Sequence, residues 1–88
     1  MDKVAKYKAA AQRWAAMYKV EEQHAIDVAA SVLMTRDKVM MGGSFVQAVV
    51  DNNLREAINR VDDTCIKYLK FFSIINHNCG SYEIEHGQ

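Results

Sequence analysis

The chain holds no proline, and its glycines leave two long stretches uninterrupted. Residues 1–41 contain neither breaker, and residues 44–79 contain neither. Between them lies Gly42-Gly43-Ser44; Gly80 closes the second stretch. A chain that avoids breakers over such spans is built for helices. Ala, Met, Lys, Glu and Gln, all good helix formers, dominate the first stretch.

Apolar residues in the first stretch recur in steps of three and four. Val4, Tyr7, Ala11, Trp14, Tyr18, Ala25, Val28, Val32 and Val39 trace one seam. The second seam runs Val46, Val50, Leu54, Ala57, Ile58, Val61, Cys65, Tyr68, Phe72 and Ile75. These patterns predict an all-α fold, an antiparallel helical hairpin with helices over about 3–41 and 44–78. The first helix would be ~58 Å long at the usual rise. Glu21-Glu22 interrupt its seam, and a break there gives the alternative, a three-helix bundle. Gly42-Gly43 supply a left-handed stop, and Gly80 a second one. Ser44 with Gln47 fits a capping box that starts helix two; Asn53 with Glu56 offers another. Residues 1–80 form one helical domain, and the polar, acidic 81–88 reads as a flexible tail.

A turn near Gly43 sets a register in which Trp14 meets Phe72, Tyr18 meets Tyr68, Ala25 meets Val61 and Val32 meets Leu54. Arg36 then faces Asp51, and Glu21 faces Lys67. Two helices touch along one line, yet residues 65–75 are apolar beyond one stripe. The excess calls for a cover. A second copy gives a homodimer and a four-helix bundle; the other cover is a protein partner. The expected interface residues are Met34, Ile66, Leu69, Phe71 and Ile74. Met40 and Met41 join Met34 at the turn, where they read as a plug closing the hairpin rather than as an adaptable surface.

Chemistry is sparse. No Gly-rich phosphate loop, HExxH or GxSxG occurs. His77 and Cys79 lie two positions apart and diverge on a helix. His77, His86, Cys65 and Cys79 lack the spacings of a zinc site. On one helix the two cysteines stand ~21 Å apart, beyond disulfide reach. These observations favour a non-enzymatic protein without metal, cofactor or small-molecule substrate.

Acidic and basic residues balance at 11 each, so no global field draws nucleic acid. Lys3, Lys6, Lys8, Arg13 and Lys19 nonetheless crowd the first twenty residues against Asp2 alone. With Tyr7, Trp14 and Tyr18 among them, Lys3, Lys6, Lys8 and Arg13 make the alternative function, a nucleic-acid-binding helical dimer. No secretory signal or membrane span is visible, which points to the cytoplasm. The leading expectation is a protein–protein interaction module: a homodimer, or an inhibitor or adaptor subunit on a larger protein. A small accessory protein of a phage or mobile element would fit that description by size.

Overall fold

The computed structural model describes residues 3–59 and 63–87, with side chains at all of these except Leu54, Asn59 and Thr64. All the described elements are helices. They are α1 Lys3–Met17, α2 Gln23–Arg36, α3 Ser44–Val50, α4 Leu54–Asn59, α5 Asp63–Lys67, α6 Leu69–Asn78 and α7 Ser81–His86. The all-α expectation holds, but the two long rods do not form. The longest extent is 35 Å, far short of a ~58 Å helix. The radius of gyration is 11.8 Å, close to the ~12 Å of a compact chain of this length.

Three of the helices end by the same device. Lys19, Lys38 and Asn52 have φ of 60°, 62° and 63°, so each occupies the left-handed region. In each case two amides fold back on the helix just ended. Val20 N bonds Ala15 O at 2.8 Å, Val39 N bonds Met34 O at 2.8 Å and Asn53 N bonds Ala48 O at 2.8 Å. Lys19 N, Lys38 N and Asn52 N reach Ala16, Thr35 and Val49 carbonyls at 3.3, 3.2 and 3.1 Å. This is the Schellman ending, with a side-chain-bearing residue where glycine is usual. Left-handed backbone costs such a residue ~1–2 kcal/mol. The bonds offset that, as does turning the next residue inward: Val20 is buried, and Val39 packs against the core.

The first break falls at the Glu21-Glu22 interruption. Glu22 is extended, and α2 starts directly after it. The glycines act otherwise than expected. Neither Gly42 nor Gly80 has a positive φ. A Cβ on Gly42 would lie 2.6 Å from Ser31 Oγ and 2.8 Å from Val46 Cγ1. Gly42 is thus required by close approach, not by a left-handed turn. Gly80 precedes α7 as its extended N-cap. The Ser44 capping box is also absent. Gly43 is the N-cap of α3 without a side-chain bond, and Gln47 Nε2 donates to Gly42 O at 2.9 Å. The second capping pattern does form, with Glu56 N donating to Asn53 Oδ1 at 3.2 Å.

Helix α2 is central and packs against α1, α3, α5 and α6. The α1 and α2 helices bury alanine faces, Ala10, Ala11 and Ala15 on one and Ala25, Ala29 and Ala30 on the other. Small side chains let helix axes approach closely. Phe72, Leu33, Ile75, Val32 and Cys79 are the largest wholly buried side chains. Trp14 does not pair with Phe72 as the hairpin register required. Its indole stacks on Tyr18, whose ring meets Phe71 at 6.0 Å. The expected Arg36–Asp51 pair gives way to Arg36–Asp37. Val61 lies outside the described residues, as does the side chain of Leu54.

The segment read as a loose tail becomes helix α7 over Ser81–His86. It docks on α1, with Ile84 only 2% exposed.

Candidate functional site

The segment joining α2 to α3 presents two exposed apolar side chains beside a cleft. Left-handed Lys38 turns Val39 toward the core and leaves the next two residues outside. Met40 is 54% exposed and Met41 70%. Their backbone is nevertheless pinned. The buried Thr35 hydroxyl donates to Met40 O at 3.2 Å and accepts from Gly42 N at 2.8 Å. Gly42 fits against Ser31 where no side chain has room. Beside this tip lies a cleft of about 450 Å3, lined by Val39, Met40, Met41 and Val50, with Lys38 and Asp51 among its polar members. Unbranched thioethers adapt to irregular apolar surfaces. A pinned backbone carrying adaptable side chains can make apolar contact at this tip.

The interface residues expected from sequence do not form one surface. Met34 and Phe71 are 6% and 5% exposed and lie in the chain's own core. Leu69 and Ile74 are half-buried, and Leu69 packs against that core. Ile66 alone of the five is open, at 51%. The apolar excess of residues 65–75 is thus largely covered within one chain, because the broken helices wrap α2. Met40 and Met41 were expected as a plug, and only Met34 takes that place. The pattern that marks them is Lys38-Val39, a polar residue before an apolar one, where the seam runs out ahead of the glycines.

A second polar centre locks the helix ends. Arg36 Nη1 donates to the carbonyls of Asn76 at 2.8 Å and Cys79 at 2.6 Å, at the C-terminus of α6. A cation there also complements the helix dipole. Asp37 accepts from Arg36 Nε at 2.9 Å, Tyr7 Oη at 2.8 Å and Ser81 Oγ at 3.2 Å. Burial pushes the Asp37 carboxyl up, but the bonds from Arg36, Tyr7 and Ser81 outweigh it and hold the group below its ordinary value. Burial first, then the bond to Asp37, raises the Tyr7 phenol to about 12. Burial likewise pushes the Cys79 thiol up to about 11, which disfavours the thiolate a nucleophile needs. This cluster ties α1, α2 and α6 together, and its bond to α7, from Ser81, is exposed.

The basic residues of the nucleic-acid alternative divide. Lys3 and Lys8 are exposed. Lys6 lies 3.6 Å from Glu85, and Arg13 Nη2 donates to Glu83 O at 3.3 Å. Half of the set is turned toward α7. Among the described residues no three His, Cys, Asp or Glu side chains are grouped to hold a metal. No described helix is long and apolar enough to cross a membrane. Comparison with protein-family models, with curated proteins and with solved structures finds no match.

Proposed function

We propose that the protein is a non-enzymatic protein-binding module, an inhibitor or adaptor subunit that docks on a larger protein through the Met40–Met41 tip and its cleft. The supporting observation is the display of two adjacent methionines, 54% and 70% exposed, on a backbone pinned by Thr35. Exposed apolar groups next to a concave surface mark contact sites. A foreign protein suits this reading better than a homodimer. The case for a second copy rested on Phe71 and its neighbours, and Phe71 is covered by its own chain.

The test is site-specific crosslinking in the source cell. A photoreactive residue at position 41 should capture one discrete foreign protein, and M40K should abolish that capture while leaving the circular dichroism spectrum unchanged. A probe at exposed Lys3 should capture nothing comparable. Equal capture from positions 3 and 41 would contradict the proposal. Crosslinks only between copies would restore the homodimer.

A further inference from the structure

Helix α7 lies against one face of α1. Ile84 is the apolar anchor, 2% exposed. A carboxylate stands on each side of it in sequence. Glu83 Oε2 accepts the Trp14 indole N–H, and Glu85 lies 3.6 Å from Lys6 Nζ. Arg13 Nη2 adds a bond to the Glu83 carbonyl at 3.3 Å, and Ser81 Oγ reaches Asp37 at 3.2 Å. The receiving face thus has an apolar floor with Lys6, Arg13 and the Trp14 N–H around it, all donors. Its occupant is acid–apolar–acid.

That occupant is lightly held. It is six residues long, anchored by one large apolar side chain, and its ion pair with Lys6 is partly exposed and contributes little. It joins α6 through Cys79 and Gly80, both extended. A Cβ at Gly80 would meet nothing within 4 Å, so no side chain packs over the junction at that residue. Short, sparsely anchored elements open far more readily than the core.

We infer that α7 is an exchangeable latch, and that the face of α1 beneath it is a second protein-binding site, for an acidic amphipathic helix of a partner. A longer helix with the Glu-Ile-Glu pattern makes the same contacts as α7 and extends past its ends. Lys6, Arg13 and Trp14 are not among the residues that line the methionine cleft.

The test uses the full chain and a fluorescein-labelled peptide of residues 80–88, followed by anisotropy. In the wild type the peptide must compete with α7, so apparent affinity falls by the fraction of open chains. The Ile84→Asp chain should bind the peptide about tenfold more tightly or better than wild type. Adding Lys6→Glu and Arg13→Glu to that variant should remove the gain. An Ile84→Asp peptide should not bind, and M40K should leave peptide binding unchanged. Should Ile84→Asp cost helicity, the Glu83→Lys/Glu85→Lys chain opens the latch by repulsion and takes its place. The inference is overturned if neither opened chain binds better than wild type. It is also overturned if M40K abolishes peptide binding, or if a single-stranded oligonucleotide binds the opened chain more tightly than the peptide does.

Discussion

Lys19 and Lys38 carry the backbone of glycines, and they decide where the helices stop. Relieving the strain should stabilise the fold. Lys38→Gly should raise stability by ~0.5–1 kcal/mol, read as a higher urea midpoint at unchanged slope. Gly42 should behave in the opposite way. Gly42→Ala places a methyl 2.6 Å from Ser31 Oγ and 2.9 Å from Val46 Cβ, and overpacking of this kind costs ~1–3 kcal/mol. The contrast explains a misreading. A glycine in sequence shows only that no Cβ is present. Whether that serves a left-handed turn or a close approach depends on a neighbour such as Ser31, eleven positions away. Lysine, conversely, gives little sign that it will turn left-handed. The sign lies in the apolar Val20 and Val39 that follow.

Asp37 sets a pH dependence at the same scale. Its folded pKa is depressed, so its contribution is present above the unfolded value of 3.8 and is lost as pH falls through the lower folded value. Melting temperature should therefore drop on acidification below about pH 4. Asp37→Asn should be less stable at pH 7, by ~1–3 kcal/mol for the unpaired Arg36 and Tyr7 groups, and should lose less on acidification than wild type. Tyr7 works at the other end. Its pKa is raised to about 12, so its contribution holds below pH ~10 and fades as pH climbs toward the folded value.

Among the elements, the cap of α4 was legible, but its separation from α3 was not, and neither was α7. The Asn53-x-x-Glu56 pattern marks a cap locally, and the bond forms. Asn53→Ala should cost ~0.5–2 kcal/mol, measurable by thermal melting. Helix α7 has one large buried apolar residue, Ile84. The groups that hold it, Lys6, Arg13, Trp14 and Asp37, lie more than forty positions away. Local composition therefore reads as a polar tail. The uneven charge of the two chain ends was the available signal, since the basic first helix and the acidic last one meet.

For the molecule as a whole, the seams marked part of the interior and were silent about connection. Tyr7, Ala11, Ala25, Val32, Val46, Ala57, Cys65, Phe72 and Ile75 are buried, Val4, Trp14, Val28, Val39, Val50 and Tyr68 are half-buried, and Tyr18 and Ile58 are exposed, while Val20, Leu33, Met34 and Phe71 are buried off the seams. Helical periodicity fixes which side of a residue faces inward. It does not say whether a helix continues past a polar pair, because a Schellman ending preserves much of the same pattern. A rod with a bare apolar flank and a compact chain that wraps α2 thus share one sequence pattern. They differ in what they leave outside: Phe71 and Met34 in the rod, Met40 and Met41 in the wrapped chain.

Oxidative footprinting of the protein at low concentration separates these two arrangements most directly. Met40 and Met41 should be modified rapidly by peroxide, while Met34 and, under hydroxyl radicals, Phe71 stay protected until the fold melts. If Met34 and Phe71 react as fast as Met41 in the folded protein, the closed chain and the contact surface assigned to its methionine tip are both wrong.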